Sequence, residues 1–235
     1  MTDALAGTPS LIRLVLRRDR LRLLIWIGGI LTVVWFSAAA VSATYDTAEK
    51  RAGYAATVTS SPASVLITGP PVALDQAGGI TVLEVGLTAF LTITLFAMFM
   101  TVRHTRTEEE DGRLELLRAT VVGRYAQLLA AVIVVGAGCL LVGAGVTGIF
   151  LAQDLPLPGS VVFGASVALT GICFVAVSTC FAQLTEHARG ALALTGLVAG
   201  VTYVLRGLGD VAALSRAKDD AGGLPVSSVT EVGAW

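Results

Sequence analysis

The chain has 235 residues, 54% hydrophobic and only 14% charged, with a net charge of −1. Its mean hydropathy is +0.79, whereas soluble domains carry about 25% charged residues. A soluble globular domain is therefore excluded, and an integral membrane protein is expected. The net charge names no partner by itself, because the charges are segregated along the chain. No nucleic-acid partner is expected.

The N-terminal stretch "SLIRLVLRRDRLRLL" places Arg13, Arg17 and Arg20 on one helical face, with Ile12, Val15, Leu16 and Leu23 off it. Two readings of residues 8–22 stand side by side. One is an amphipathic helix lying at the membrane interface with its arginines toward anionic lipid. The other is a plain basic flank of the first span.

A membrane span needs about 20 mostly apolar residues to cross about 30 Å of hydrocarbon. Five blocks qualify: residues 23–43, 80–102, 126–152, 160–181 and 190–208. Within a bilayer their backbone groups must bond internally, so each is expected to be a helix. The first block is too long for the apolar region of a signal peptide, and its basic lead is long. The fold class is thus an all-α membrane protein, a polytopic helical bundle of about five spans in one transmembrane domain. With the N-terminus inside, cytosolic segments hold eleven Lys and Arg against five outside. The positive-inside rule therefore predicts a cytosolic N-terminus in a multi-pass protein of the cell membrane.

The loop of residues 44–79 carries Pro62, Pro70, Pro71 and Gly78–Gly79, and is long enough to hold an ordered turn or short helix. Glu84 is the one carboxylate inside a span. An intramembrane carboxylate is a functional candidate by default, although Glu84 stands one turn from the outer start of its helix. Gly196 and Gly200 form a GxxxG, and Gly136–Gly143 and Gly138–Gly145 recur at seven-residue spacing. Such small-residue ridges are expected to let neighbouring helices approach closely. Cys139, Cys173 and Cys180 lie in apolar blocks without any CxxC or Cys/His cluster. They are expected to be buried small thiols, with no disulfide framework and no metal site.

The segment "RHTRTEEEDGRLELLRATVVGR" (residues 103–124) interrupts this apolar pattern. Thr107 and Glu110 match a capping box. Glu108, Glu109, Glu110 and Asp111 would crowd a first helical turn, where acids complement the helix dipole. Glu109–Arg113 and Glu115–Arg118 are favourable helical pairs, and Leu114, Leu117 and Val121 fall on one strip. A short cytosolic helix is expected, either resting on the membrane or plugging another protein. In the second case Leu114 and Leu117 form its knob, and Glu108–Asp111, Gly112, Arg113, Glu115 and Arg118 surround it.

"EEDGRLELLRATVVGR" resembles the loop between the second and third helices of type-two ABC exporter permeases. The matching residues are Glu110, Gly112, Leu114, Glu115, Leu117, Ala119, Thr120 and Arg124. Val121 stands where that family often has Pro, which bears on the turn into the third span. The wider run is similar to permeases of polyketide-antibiotic exporters of high-GC Gram-positive bacteria. The resemblance implies that the loop is a coupling helix seated in a separate ATP-binding subunit, and that residues 8–22 form an elbow helix. It further implies export of a hydrophobic antibiotic, drug-like or lipid-like substrate, with ATP and Mg on the partner and no cofactor in this chain. The chain has no Walker-A pattern, and it is expected to be a transport subunit without enzyme activity. The family unit has six spans, so residues 209–235 are expected to form an outer segment truncated before a sixth span. A second permease half, in the same or another chain, would complete the pore.

Two other classes compete with this reading. Glu108, Glu109 and Arg113 match the EExxxR of intramembrane proteases. Neither His104 nor His187, however, opens the H-x-x-x-[ND] pattern such an enzyme needs. An ion-coupled secondary transporter needs charged or broken helices at the membrane midplane, and only Glu84 is on offer, near the edge.

Overall fold

The computed structural model describes residues 5–110, 123 and 125–220. Among the described residues every regular element is helical. Five helices are long and apolar enough, by length and composition, to cross a membrane.

Helix α1 (Thr8–Thr44) merges the basic lead and the first apolar block. At 1.5 Å per residue its 37 residues reach about 55 Å, well beyond the hydrocarbon thickness. The helix is broken at Asp19 (φ −105°, ψ 15°), so the lead leaves the axis of the span there. Two short helices, α2 (Ala48–Ser60) and α3 (Pro62–Thr68), fill the following loop. Thr47 and Ser61 cap them by accepting from Lys50 N–H and Ser64 N–H, and Pro62 suits a first helical turn. Arg51 knits the loop by donating to the carbonyls of Tyr45, Asp46 and Asp75.

The second span is α4 (Ala77–Val102), which runs on as a π-helical stretch, Arg103–Thr107, and a helical turn, Glu108–Glu110. This corrects the capping-box reading. Thr107 does not open a helix, because the helix from Ala77 has not ended there, and a cap serves only N–H groups left unpaired by a start. The chain returns in α5 (Ala126–Ala152), α6 (Leu157–Leu184) and α7 (Ala188–Asp220). The bundle therefore has one charged end, where residues 8–22, 103–110, 123, 125–127 and 184–189 meet. Its opposite end carries α2, α3 and the α5–α6 turn.

The main core joins α1, α4, α5 and α6 through Val34, Ile93, Phe96, Val135, Val142 and Val167, among others. Dispersion and close fit drive such packing in a bilayer, so small residues mark the tightest crossings. At the α5–α6 crossing, a Cβ on Gly143 would lie 2.5 Å from the Gly164 carbonyl oxygen. One on Gly164 would lie 2.4 Å from that of Gly143. The other glycines of α5 serve different neighbours. Gly138 receives Phe96 of α4 and Gly145 receives Leu31 of α1, while nothing lies within 4 Å of a Cβ on Gly136. The seven-residue spacing is thus divided among three partners. Cys139 is buried as expected, but Cys173 and Cys180 are exposed free thiols on the outside of α6, a correction to the expectation of three buried ones.

Helix α7 stands outside the main core. Beside the charged end it meets α4 and α6 through Val102, Ala182, Ala188 and Ala191. We expect Gly143→Val to destabilise the protein by about 2 kcal/mol, because its methyl groups have nowhere to go. Gly136→Ala should leave stability at or above that of the parent. Unfolding in detergent, followed by circular dichroism of both variants, tests the pair.

Candidate functional site

Leu11, Val15 and Leu23 recur at four-residue steps on the buried face of α1, and Asp19 fills the fourth place in that stripe. Its side chain is 2% exposed. A buried carboxylate needs compensating charge and hydrogen bonds, and three guanidinium groups supply them. Arg18 Nε lies 3.1 Å from Oδ2, Arg22 Nη1 lies 2.9 Å from Oδ1, and Arg103 Nη2 lies 3.3 Å from Oδ1. Two of these come from α1 itself and the third from the π-helical stretch after α4.

Glu108 extends the network. It is buried, its Oε1 is paired with Arg18, and its Oε2 accepts from Gln127 Nε2 of α5 at 3.2 Å. The same Gln127 nitrogen reaches the His104 carbonyl at 3.3 Å. The His104 ring is buried between the carboxylates, with Nδ1 3.7 Å from Asp19 Oδ2 and 3.8 Å from Glu108 Oε1. Glu110 turns to α7, where its Oε1 accepts from the Ala188 N–H at 2.7 Å. A carboxylate at a helix start satisfies an unpaired N–H and favours the dipole. On the far side of the charged segment, Gly123 N–H donates to the Ala6 carbonyl at 3.0 Å. One root of the segment is thus tied to α1, α5 and α7, and the other to Ala6, just before α1.

Asp19, His104 and Glu108 offer atoms within 4.8 Å of one another, a grouping that could hold a metal ion. The carboxylates already have their positive charge from Arg18, Arg22 and Arg103, so the arrangement is an ion-pair network in its own right. Sequence reasoning missed it. The available signal was an Asp in the middle of a four-step apolar stripe.

The expected coupling residues divide between the described and the undescribed parts of the chain. Glu108 is buried and paired with Arg18, Glu109 lies in the same helical turn, and Glu110 is exposed and caps α7. Asp111, Gly112, Arg113, Leu114, Glu115, Leu117 and Arg118 lie outside the described residues. Glu84 accepts a hydrogen bond from the Tyr54 hydroxyl of α2. Burial, followed by that carboxylate, pushes the Tyr54 phenol well above its ordinary pKa. Glu84 therefore fastens the α2 loop to α4.

Between α4, α6 and α7 lies a cavity of about 1300 Å³ with mostly apolar walls. Gly196 and Gly200 line it, and no atom lies within 4 Å of a Cβ placed on either. Among the described residues that GxxxG packs against no helix.

No family model matches the chain. The multidrug efflux system permease protein Rv1217c of Mycobacterium tuberculosis is 40% identical over 209 residues, which is 87% of this chain and 37% of that protein. Over those residues the chain is similar to that permease. The five long apolar helices among its described residues make it a multi-pass membrane protein, and it spans a little over a third of the relative's length.

Removing the charge of Asp19 leaves three guanidinium groups crowded around a neutral side chain. We expect Asp19→Asn to lower stability by about 3 kcal/mol, while Glu49→Gln at the exposed start of α2 changes it by less than about 0.5 kcal/mol. Denaturant titration of the two variants in detergent measures the difference.

Proposed function

We propose that this chain is the membrane-spanning permease part of an ATP-driven ABC exporter of the cell membrane. It would carry a hydrophobic antibiotic, drug-like or lipid-like molecule out of the cell. The N-terminus and the charged end face the cytosol. A separate subunit binds ATP and Mg, and a second permease half, in the same chain or another, completes the translocation path. The observation that carries this reading is the identity with a permease named for multidrug efflux, joined to the anchoring of the charged segment at both roots. A segment that receives motion from a partner has to be rigidly joined to the spans that it moves. Glu108 and Glu110 provide such joints to three helices.

Two features weigh against the other classes. Both oxygens of Glu108 are engaged by Arg18 and Gln127, which leaves the EExxxR reading without its first acid. Glu84 is tied to Tyr54 beside the end of its span, away from the midplane where an ion-coupled carrier needs its charge.

Affinity capture of the chain from its native membranes in mild detergent tests the reading. The parent should bring down a protein bearing a Walker-A motif, and Leu114→Asp should reduce its recovery about tenfold, the loss of about 1.4 kcal/mol of binding. Equal recovery with Leu114→Asp would remove Leu114 from the contact. Absence of any such protein from the parent sample would remove the exporter reading.

A further inference from the structure

The gap between α7 and the α4–α6 pair is maintained by a specific strut. The last carbonyls of a helix have no intrahelical partner, and those of α3 are taken by α7. Tyr203 Oη donates to the Ile67 carbonyl at 2.9 Å, and Arg206 Nη2 donates to the Ile67 and Leu66 carbonyls at 3.1 and 3.4 Å. Gly207 allows the contact, since a Cβ there would lie 2.5 Å from the Leu66 oxygen. Near the charged end the same helices meet through Val102, Ala182, Ala188 and Ala191. Helix α7 is therefore pinned at two levels, and the cavity lies between the pins.

The chemistry of the walls selects an occupant. Leu87, Phe90, Leu91, Phe174 and Ala199 give apolar surface, and hydroxyls of Thr94, Thr202 and Tyr203 add neutral polarity. Among the described residues Arg206 is the one charged side chain in the lining, and its guanidinium pairs with Asp210 at 3.2 Å besides serving the α3 carbonyls. No free charge is left to meet a charged ligand. Ligand pockets typically measure about 300–1,000 Å³ and are mostly apolar with few polar groups, so about 1300 Å³ admits a large molecule.

We propose that this cavity is a binding site for a bulky, uncharged, largely apolar molecule, and that Gly196 and Gly200 serve to make room for it. That the occupant is the exporter's cargo rests on the function proposed above; that the site binds such a molecule does not. Under the orientation proposed there, the site runs from the outer end of α4 past its middle, from Gly78 to Met98.

The test uses the full chain in phosphatidylcholine nanodiscs and a neutral, alkyne-tagged aryl diazirine, with labelled peptides mapped by mass spectrometry. We expect saturable labelling of α4 and α7 peptides, competed by the untagged compound and weak with a carboxylate-bearing analogue. Gly200→Trp adds bulk where a Cβ would meet no atom within 4 Å and should cut the saturable part about tenfold, equivalent to about 1.4 kcal/mol. Gly196→Leu should give a smaller loss, and Gly148→Trp, on an open face of α5 away from the cavity, should give none. Labelling that never saturates, or that ignores Gly200→Trp and Gly196→Leu in folded protein, would assign the space to lipid or to another helix and overturn the site. Capture of the ATP-binding partner is read separately, so a failed site and a failed exporter reading are distinguishable.

Discussion

The charged end of this protein is organised around one buried carboxylate. Asp19 occupies a core position on α1, where burial would be prohibitive without the guanidinium groups of Arg18, Arg22 and Arg103. Satisfying it draws the end of α4 against α1, and Arg18 then reaches Glu108, which reaches Gln127 of α5. Such a network fixes geometry more than it adds stability, since its desolvation cost consumes much of its Coulomb gain. The break in α1 falls at Asp19 itself, so the basic lead changes direction where it is most firmly held.

Away from that end the bundle is held by shape. Apolar side chains gain little by leaving lipid for protein, so close approach of backbones must carry the packing. Gly143 and Gly164 provide it between α5 and α6, and Gly138 and Gly145 seat side chains from α4 and α1. Helix α7 follows another rule. It meets the bundle through small alanines near one end and through hydrogen bonds to α3 near the other. A GxxxG on such a helix need not be a packing motif, and here Gly196 and Gly200 face open space.

How much of this was legible depended on the range of the interactions. The five long helices follow from apolar run length, a property of contiguous residues. Helices α2 and α3 were only partly legible, through Pro62 and the length of their loop. The Asp19 network joins residues about 90 positions apart, and the α3–α7 strut joins Leu66 and Ile67 to residues about 140 positions away. No periodicity reports such pairings. The acidic run misled for a related reason. Local pattern assigned Glu108 and Glu110 to a new helix start, while the fold uses them as long-range ties to α1, α5 and α7.

The two features meet in α7. Glu110 accepts from the first turn of α7 through the Ala188 N–H, and the same helix forms a wall of the cavity through Gly196, Ala199 and Gly200. Helices transmit displacement as rigid bodies, whereas packed cores resist continuous deformation. A movement of the charged segment by a partner, as the exporter reading requires, would therefore act on the α7 wall more directly than on the α5–α6 pair, whose glycine crossing is already in backbone contact. The looseness of α7 against the core is what such a device needs, because a wall packed as tightly as α6 could not change the volume beside it.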